Sequence, residues 1–437
     1  MRRGLIGFIA LFGATVQAFG HASDGGHLLI LPTGYYMAAA ALSVAASFLI
    51  FLIAPAKPLH REQEANRSDL SRFSATSALS FVFLIMLISA GYIGSRDPLS
   101  NPLPLMIWTV LWVGVTLVQG LAGDLWRFIN PWRFPCWLIF HLFGKPRYRL
   151  PQWLGSWPAL FQFIGFAWFE LIDPAPTDPG RLANAVLIYF CVNLIAAVLF
   201  GYRDWMRRGE FLSAFYAILR TKTPRALSRT QTIFLICVLA SVSFDGFSKT
   251  FFWLGHVGIN PLDYPGRSAM MIINSVGMAG FALVMIALFY TMIAIGHALT
   301  GAKGSFADHM GTVAISLIPI ALVYHFSHYL TSLLIEGQYA LAALSDPFGL
   351  GWNLLGLRNL HVRAGLTSGH GPVWLVWNLQ AFAITLGHVG AVYRAHLTVA
   401  SLYETRLQRF RFELPLTTLM IFYTIFGLWL LATPAAG

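Results

Sequence analysis

Two histidines one helical turn apart, His325 and His328, stand in an apolar run with Ser332 and Glu336 further along it. At about 100° per residue, their spacing places all four on one narrow stripe of a helix. Two imidazoles so arranged hold a metal ion or relay protons, and a carboxylate on the same stripe completes or orients such a site. On a later run Asn378, Thr385, His388 and His396 share one side of a helix, within about 80°. An antiparallel neighbour would bring His388 toward His325. The expected divalent-metal set is therefore His325, His328 and His388. The plainer alternative is a polar seam in which these histidines hydrogen-bond adjacent helices.

A second cluster runs from Ser243 to Lys249 through Asp245 and Gly246, where an apolar run breaks off early. Interrupted helices leave backbone groups free to coordinate ions or polar solutes. Asp245 thus joins His325, His328 and Glu336 as an expected catalytic group, against the plainer pairing of Asp245 with Lys249 at i and i+4. Glu170 and Asp173 close another apolar run on the same side. They read either as an acidic mouth or as interface residues.

The elements that must position these groups are helices within lipid. Of 437 residues, 57% are hydrophobic and 11% charged, against about 25% charged in ordinary soluble domains; the mean hydropathy is +0.65. A crossing helix needs roughly 20 apolar residues. Runs of that kind lie at 35–54, 77–94, 105–122, 157–172, 182–200, 232–253, 270–295, 312–335, 373–399 and 416–431. The expected fold class is all-α, a polytopic integral membrane bundle of about ten helices, with no soluble domain between them.

Before the bundle, Met1 to Gly20 has the form of a signal peptide, with Arg2 and Arg3, an apolar stretch from Leu5 to Val16, and small Ala18 and Gly20 before His21. Residues 21–437 then form a single transmembrane domain. A retained anchor is the alternative. With the mature amino terminus outside, all but six of the 29 Lys and Arg residues fall on the cytoplasmic side, the six being Arg96, Arg181, Lys249, Arg267, Arg358 and Arg363. Cytoplasmic loops retain basic residues. This predicts a bacterial inner-membrane protein with both mature termini on the outer side.

The same asymmetry accounts for a net charge of +11 without a nucleic-acid partner. Arginines interleaved with Trp126, Trp132, Trp137, Trp153 and Trp157 fit rings at headgroup depth beside anionic lipid. Cys136, Cys191 and Cys237 are scattered and form neither a disulfide framework nor a CxxC site.

Six segments carry a resemblance: AGDLWRFINPWR (122–133), LPQWLGSWPA (150–159), VSFDGFSKTFFW (242–253), YHFSHYLTSLLIEGQ (324–338), LSDPFG (344–349) and LGHVGAVYRAH (386–396). Together they resemble bacterial multi-pass membrane proteins labelled fenitrothion hydrolase. The resemblance implies cleavage of an organophosphate triester and assigns no catalytic residue by position. As such an enzyme, the chain would use His325, His328 and either His388 or Glu336 to hold a metal that activates water. As a secondary transporter or channel, it would use the same histidines and Asp245 to bind a proton or ion coupled to a small solute. No nucleotide-binding loop is present to drive transport directly. A b-type haem between His325 and His388 is the least favoured, because the two lie at different depths.

Overall fold

The computed structural model describes residues 33–53, 70, 72–144, 146, 148–220, 226–260, 266–301, 306–357, 360–363, 365 and 369–433. The expected signal peptide at 1–20, His21, Arg358 and the terminal Gly437 lie outside the described residues. Among the described residues the architecture is all-α, with no strand.

Ten helices carry the bundle: α1 (Thr33–Ile53), α2 (Ala75–Ile93), α3 (Pro102–Leu121), α4 (Trp157–Leu171), α5 (Pro179–Phe200), α6 (Arg229–Ser248), α7 (Arg267–Thr300), α8 (Leu317–Ser345), α9 (His370–Val399) and α10 (Arg406–Ala432). All but α4 belong to the nine spans, among the described residues, that are long and apolar enough to cross a bilayer. Helix α4 has 15 residues, a rise of about 22 Å. It packs against α6. The Ser156 N–H at its start donates to Thr230 Oγ1 at 3.0 Å, and the Glu170 carbonyl at its end accepts from Arg267 at 2.8 Å.

Local chemistry sets the helix starts. Asn101 and Asp178 cap α3 and α5, each followed by a proline at the first helical position, where no N–H is needed. Ser228 and Gln231 form a reciprocal capping box on α6. Gly301 ends α7 in the left-handed conformation at φ 61°.

Small residues set the helix contacts, as expected where lipid removes the hydrophobic drive between apolar faces. A Cβ on Gly387 of α9 would stand 2.2 Å from Val323 of α8, and one on Gly296 of α7 would stand 2.6 Å from the Phe412 carbonyl of α10. Backbones therefore approach closely at both crossings. Helix α8 and the short helix before it occupy the centre: 83% of the apolar stretch within His309–Ser345 is buried, against 11% for the peripheral α7. The large side chains left exposed, such as Leu42, Ile188, Ile272 and Phe422, form the lipid-facing perimeter.

Two corrections follow. The sixth crossing does not break at Asp245, because α6 continues as helix to Ser248 and only then turns into a short helix at Phe251–His256. The third crossing carries an irregularity that the sequence does not announce: Leu105–Val115 is π-helical, and the Thr116 N–H reaches back to the Val113 carbonyl. Such shifts of hydrogen-bond register free carbonyls for other donors. The Leu111 and Trp112 carbonyls accept from Tyr216 Oη at 3.2 Å and from His325 Nε2 at 2.8 Å.

Candidate functional site

Three crossings meet at one polar cluster. Helix α6 brings Asp245, α8 brings His325, His328 and Tyr329, and α4 brings Glu170. Asp245 is buried. Its two oxygens are divided between His328 Nε2 at 2.5 Å and Lys249 Nζ at 2.8 Å. Both the i,i+4 pairing and a contact across the bundle are therefore present.

Because a carboxylate only accepts, His328 carries its hydrogen on Nε2. In the neutral ring the Nδ1 atom holds the free lone pair. It lies 4.0 Å from where a Cβ on Gly246 would stand, so the missing side chain at Gly246 leaves room beside the basic atom. Next to this pair, Tyr329 Oη donates to Glu170 Oε1 at 2.8 Å and accepts from Trp112 Nε1 at 3.4 Å. The His328 and Tyr329 rings meet edge to face at 4.7 Å. Two carboxylates, an imidazole, a phenol and an ammonium thus converge where three helices touch.

His325 serves this cluster from behind. Its Nε2–H donates to the π-helical Trp112 carbonyl, and its ring stands between Trp112 and Tyr329 at 4.9 Å from each. Glu336 is a separate contact further along α8, where its carboxylate accepts from Thr109 Oγ1 at 2.5 Å. The stripe thus faces two helices: His325 and Glu336 turn to α3, and His328 to α6.

His388 does not join them. Its Nδ1–H donates to the Ile384 carbonyl at 2.8 Å, and its ring packs beside Tyr324 and Tyr423. Tyr324 and His325 are consecutive, so they point about 100° apart on α8. The histidine that meets Tyr324 is thereby turned away from His325. Among the described residues no three His, Cys, Asp or Glu side chains are grouped to hold a metal ion. The metal set of His325, His328 and His388 is not assembled, and neither is the haem pair of His325 with His388.

Sequence reasoning missed Tyr329, Trp112 and the inward turn of Glu170. Tyr329 lies about 40° from His325 on the same stripe, so periodicity alone could have included it. Glu170 stood out in the sequence only as the acidic end of its apolar run, an acidic mouth or an interface residue, and nothing local gave its partner on α8. It also missed the buried pair of His396 on α9 with Glu413 on α10, at 3.1 Å. Asp173 pairs with Arg181 at 2.5 Å, at the surface end of the same region.

Comparison with protein families, with curated proteins and with solved structures finds no match to this chain.

The His388 Nε2 atom is buried, with no hydrogen-bond partner among the described residues. A buried polar atom left unsatisfied costs about 1–3 kcal/mol. Changing His388→Met is expected to leave thermal stability in detergent equal to wild type or higher. A fall in unfolding temperature of several degrees would instead reveal an interaction at Nε2.

Proposed function

We propose that this is a bacterial inner-membrane protein that moves a small solute or ion coupled to a proton, with Asp245 and His328 as the proton-exchanging pair. The observation that supports this is a single buried carboxylate shared between an imidazole on another helix and an ammonium on its own. Ionisable groups within membrane bundles are costly, face the interior in pairs, and mark proton and ion paths. Protonating Asp245 weakens its hold on both partners. The contact between α6 and α8 then changes with proton occupancy, which is what a proton-coupled rearrangement requires. A second carboxylate, Glu170 on α4, accepts from Tyr329 of α8 beside this pair.

A second reading follows from the same dyad. A carboxylate that fixes the tautomer of an imidazole is the orienting half of a general-base device. His328 Nδ1, beside Gly246, would take a proton from water as the water oxygen bonds to phosphorus of an organophosphate triester, the substrate class the sequence resemblance implies, and the bond from phosphorus to the aryloxide breaks, the aryloxide leaving as its anion. No metal ligand set is needed for that step.

Proteoliposomes carrying a pH-sensitive dye separate the two. A pH step should drive proton flux that depends on the protein and is lost in His328→Gln, without nitrophenol release from a nitrophenyl phosphotriester. Nitrophenol release with no proton flux would overturn the transport reading in favour of hydrolysis.

The orientation we propose places the arginine-rich end in the cytoplasm and both mature termini outside. Reporter fusions at Gly437 and within 203–229 are expected to give opposite answers. Matching answers would overturn it.

A further inference from the structure

At the arginine-rich end, away from the Asp245 cluster, a cavity of about 190 Å³ opens between the 121–133 segment and the short helices Tyr202–Arg208 and Phe211–Leu219. Its lining contains five arginines, Arg127, Arg133, Arg203, Arg207 and Arg220, and one carboxylate, Asp124. That carboxylate is already engaged, by Arg220 and by Gln119 Nε2 at 3.1 Å. Arg207 reaches Asp204 only at 3.7 Å, in an exposed pair. Neither Arg127 nor Arg203 forms an ion pair among the described residues.

The floor of this cavity is built and rigid. Ser213 Oγ accepts from Trp126 Nε1 at 2.7 Å and from Asn130 Nδ2 at 3.2 Å, while Asn130 Oδ1 accepts from the Trp132 N–H at 3.0 Å. All four residues are buried. Arg208, behind the cavity, donates to the Leu150 and Pro151 carbonyls and so ties the neighbouring segment in place. Clustered guanidinium groups on so fixed a frame repel one another, and an anion between them removes that cost. Their planar forks match phosphate oxygens in pairs, a geometry that lysines do not supply. Beside the opening, Leu121 and Phe128 are exposed, as at a lipid boundary.

We infer that this cavity binds a phosphate-bearing anion, through Arg127, Arg203 and the arginines around them. The phosphate comes either from a phospholipid headgroup or from a soluble phosphate in the adjoining aqueous phase. The inference does not depend on the proton-coupled reading, because it concerns the opposite end of the bundle.

Thermal unfolding of the purified full-length protein in a zwitterionic detergent tests it. Phosphatidylglycerol and phosphatidylcholine are titrated separately, and inorganic phosphate is titrated against chloride at matched ionic strength. The expected result is saturable stabilisation by phosphatidylglycerol or by phosphate, and none by phosphatidylcholine. In the double variant Arg127→Gln/Arg203→Gln the half-saturating concentration should rise about tenfold, whereas Arg229→Gln, outside the cavity, should match wild type. A response to phosphatidylglycerol alone identifies the headgroup, and a response to inorganic phosphate at low concentration identifies the soluble source. If the double variant fails to accumulate, the exposed Arg203→Gln alone is read by the same titration. No saturable response to either ligand, or variants that respond as wild type does, would overturn the inference.

Discussion

Changing Asp245→Asn is expected to reduce proton-coupled activity by about 100-fold or more while folded protein accumulates at close to wild-type levels. The substitution keeps the shape of the side chain and an oxygen that accepts from His328 Nε2, so the link between α6 and α8 survives. What disappears is the negative charge that holds the imidazole and Lys249 together. Deleting one member of a buried ion pair typically costs about 3–5 kcal/mol, because the other charge is stranded. Here the stranded charge is not deeply buried: the Lys249 side chain is 44% exposed, and it lies just past the end of α6, where an ammonium can reach the headgroups. The stability cost therefore falls toward the about 0–1 kcal/mol of an exposed pair. Proton flux in proteoliposomes, set beside the yield of monodisperse protein, measures both quantities. Unchanged flux at normal yield would reduce Asp245 to a structural tie.

A second large effect is expected at the crossing of α8 and α9, and it concerns stability. Gly387→Ala places a methyl group 2.2 Å from Val323 Cγ2 and 2.7 Å from its Cγ1. Valine is stiff about χ1, so the neighbour cannot turn aside as a longer side chain would. The helices must separate, at a cost of roughly 1–3 kcal/mol for overpacking. Because α8 holds His325 and His328, the same displacement should also loosen the contact of His328 with Asp245. Gly280→Ala is the control, since nothing lies within 4 Å of a Cβ there. Unfolding temperatures of the two variants in detergent are expected to differ by several degrees. Equal stability would show that α8 and α9 can part without penalty.

Much of the bundle could be read before the structure was in view, since apolar runs of membrane length are a direct consequence of lipid thickness. The limits of that reading are specific. Hydropathy places the start of the last crossing near Leu416, whereas α10 begins at Arg406. Arg409, Arg411 and Glu413 interrupt the apolar run without interrupting the helix, and His396 offsets the buried Glu413. At the site, the stripe through His325 and His328 was visible because periodicity along one helix is a local property. Which neighbour each residue meets is not local. Asp245 rather than His388 faces His328 because of how α6 and α9 are arranged around α8, and that depends on contacts between distant segments such as Gly387 with Val323. The π-helical turns of α3 left no mark in composition, as their Leu, Ile, Trp and Val residues suit an ordinary helix equally well.

The central place of α8 bears on how the chain is made. Helices leave the ribosome in order, and domains assemble from the amino-terminal side first. By the time α8 is synthesised, α3, α4 and α6 already exist, and they carry the Trp112 carbonyl, Glu170 and Asp245 that receive its polar groups. A segment with two imidazoles and a carboxylate would be a poor solitary passenger in hydrocarbon. Arriving eighth, it finds its counterparts waiting, and α9 and α10 then follow to close its remaining face, the Tyr423 carbonyl of α10 accepting from Tyr324 Oη at 2.8 Å. Exchanging the order in which these segments emerge, with every contact of the finished bundle preserved, would leave the mature molecule unchanged and its insertion impaired.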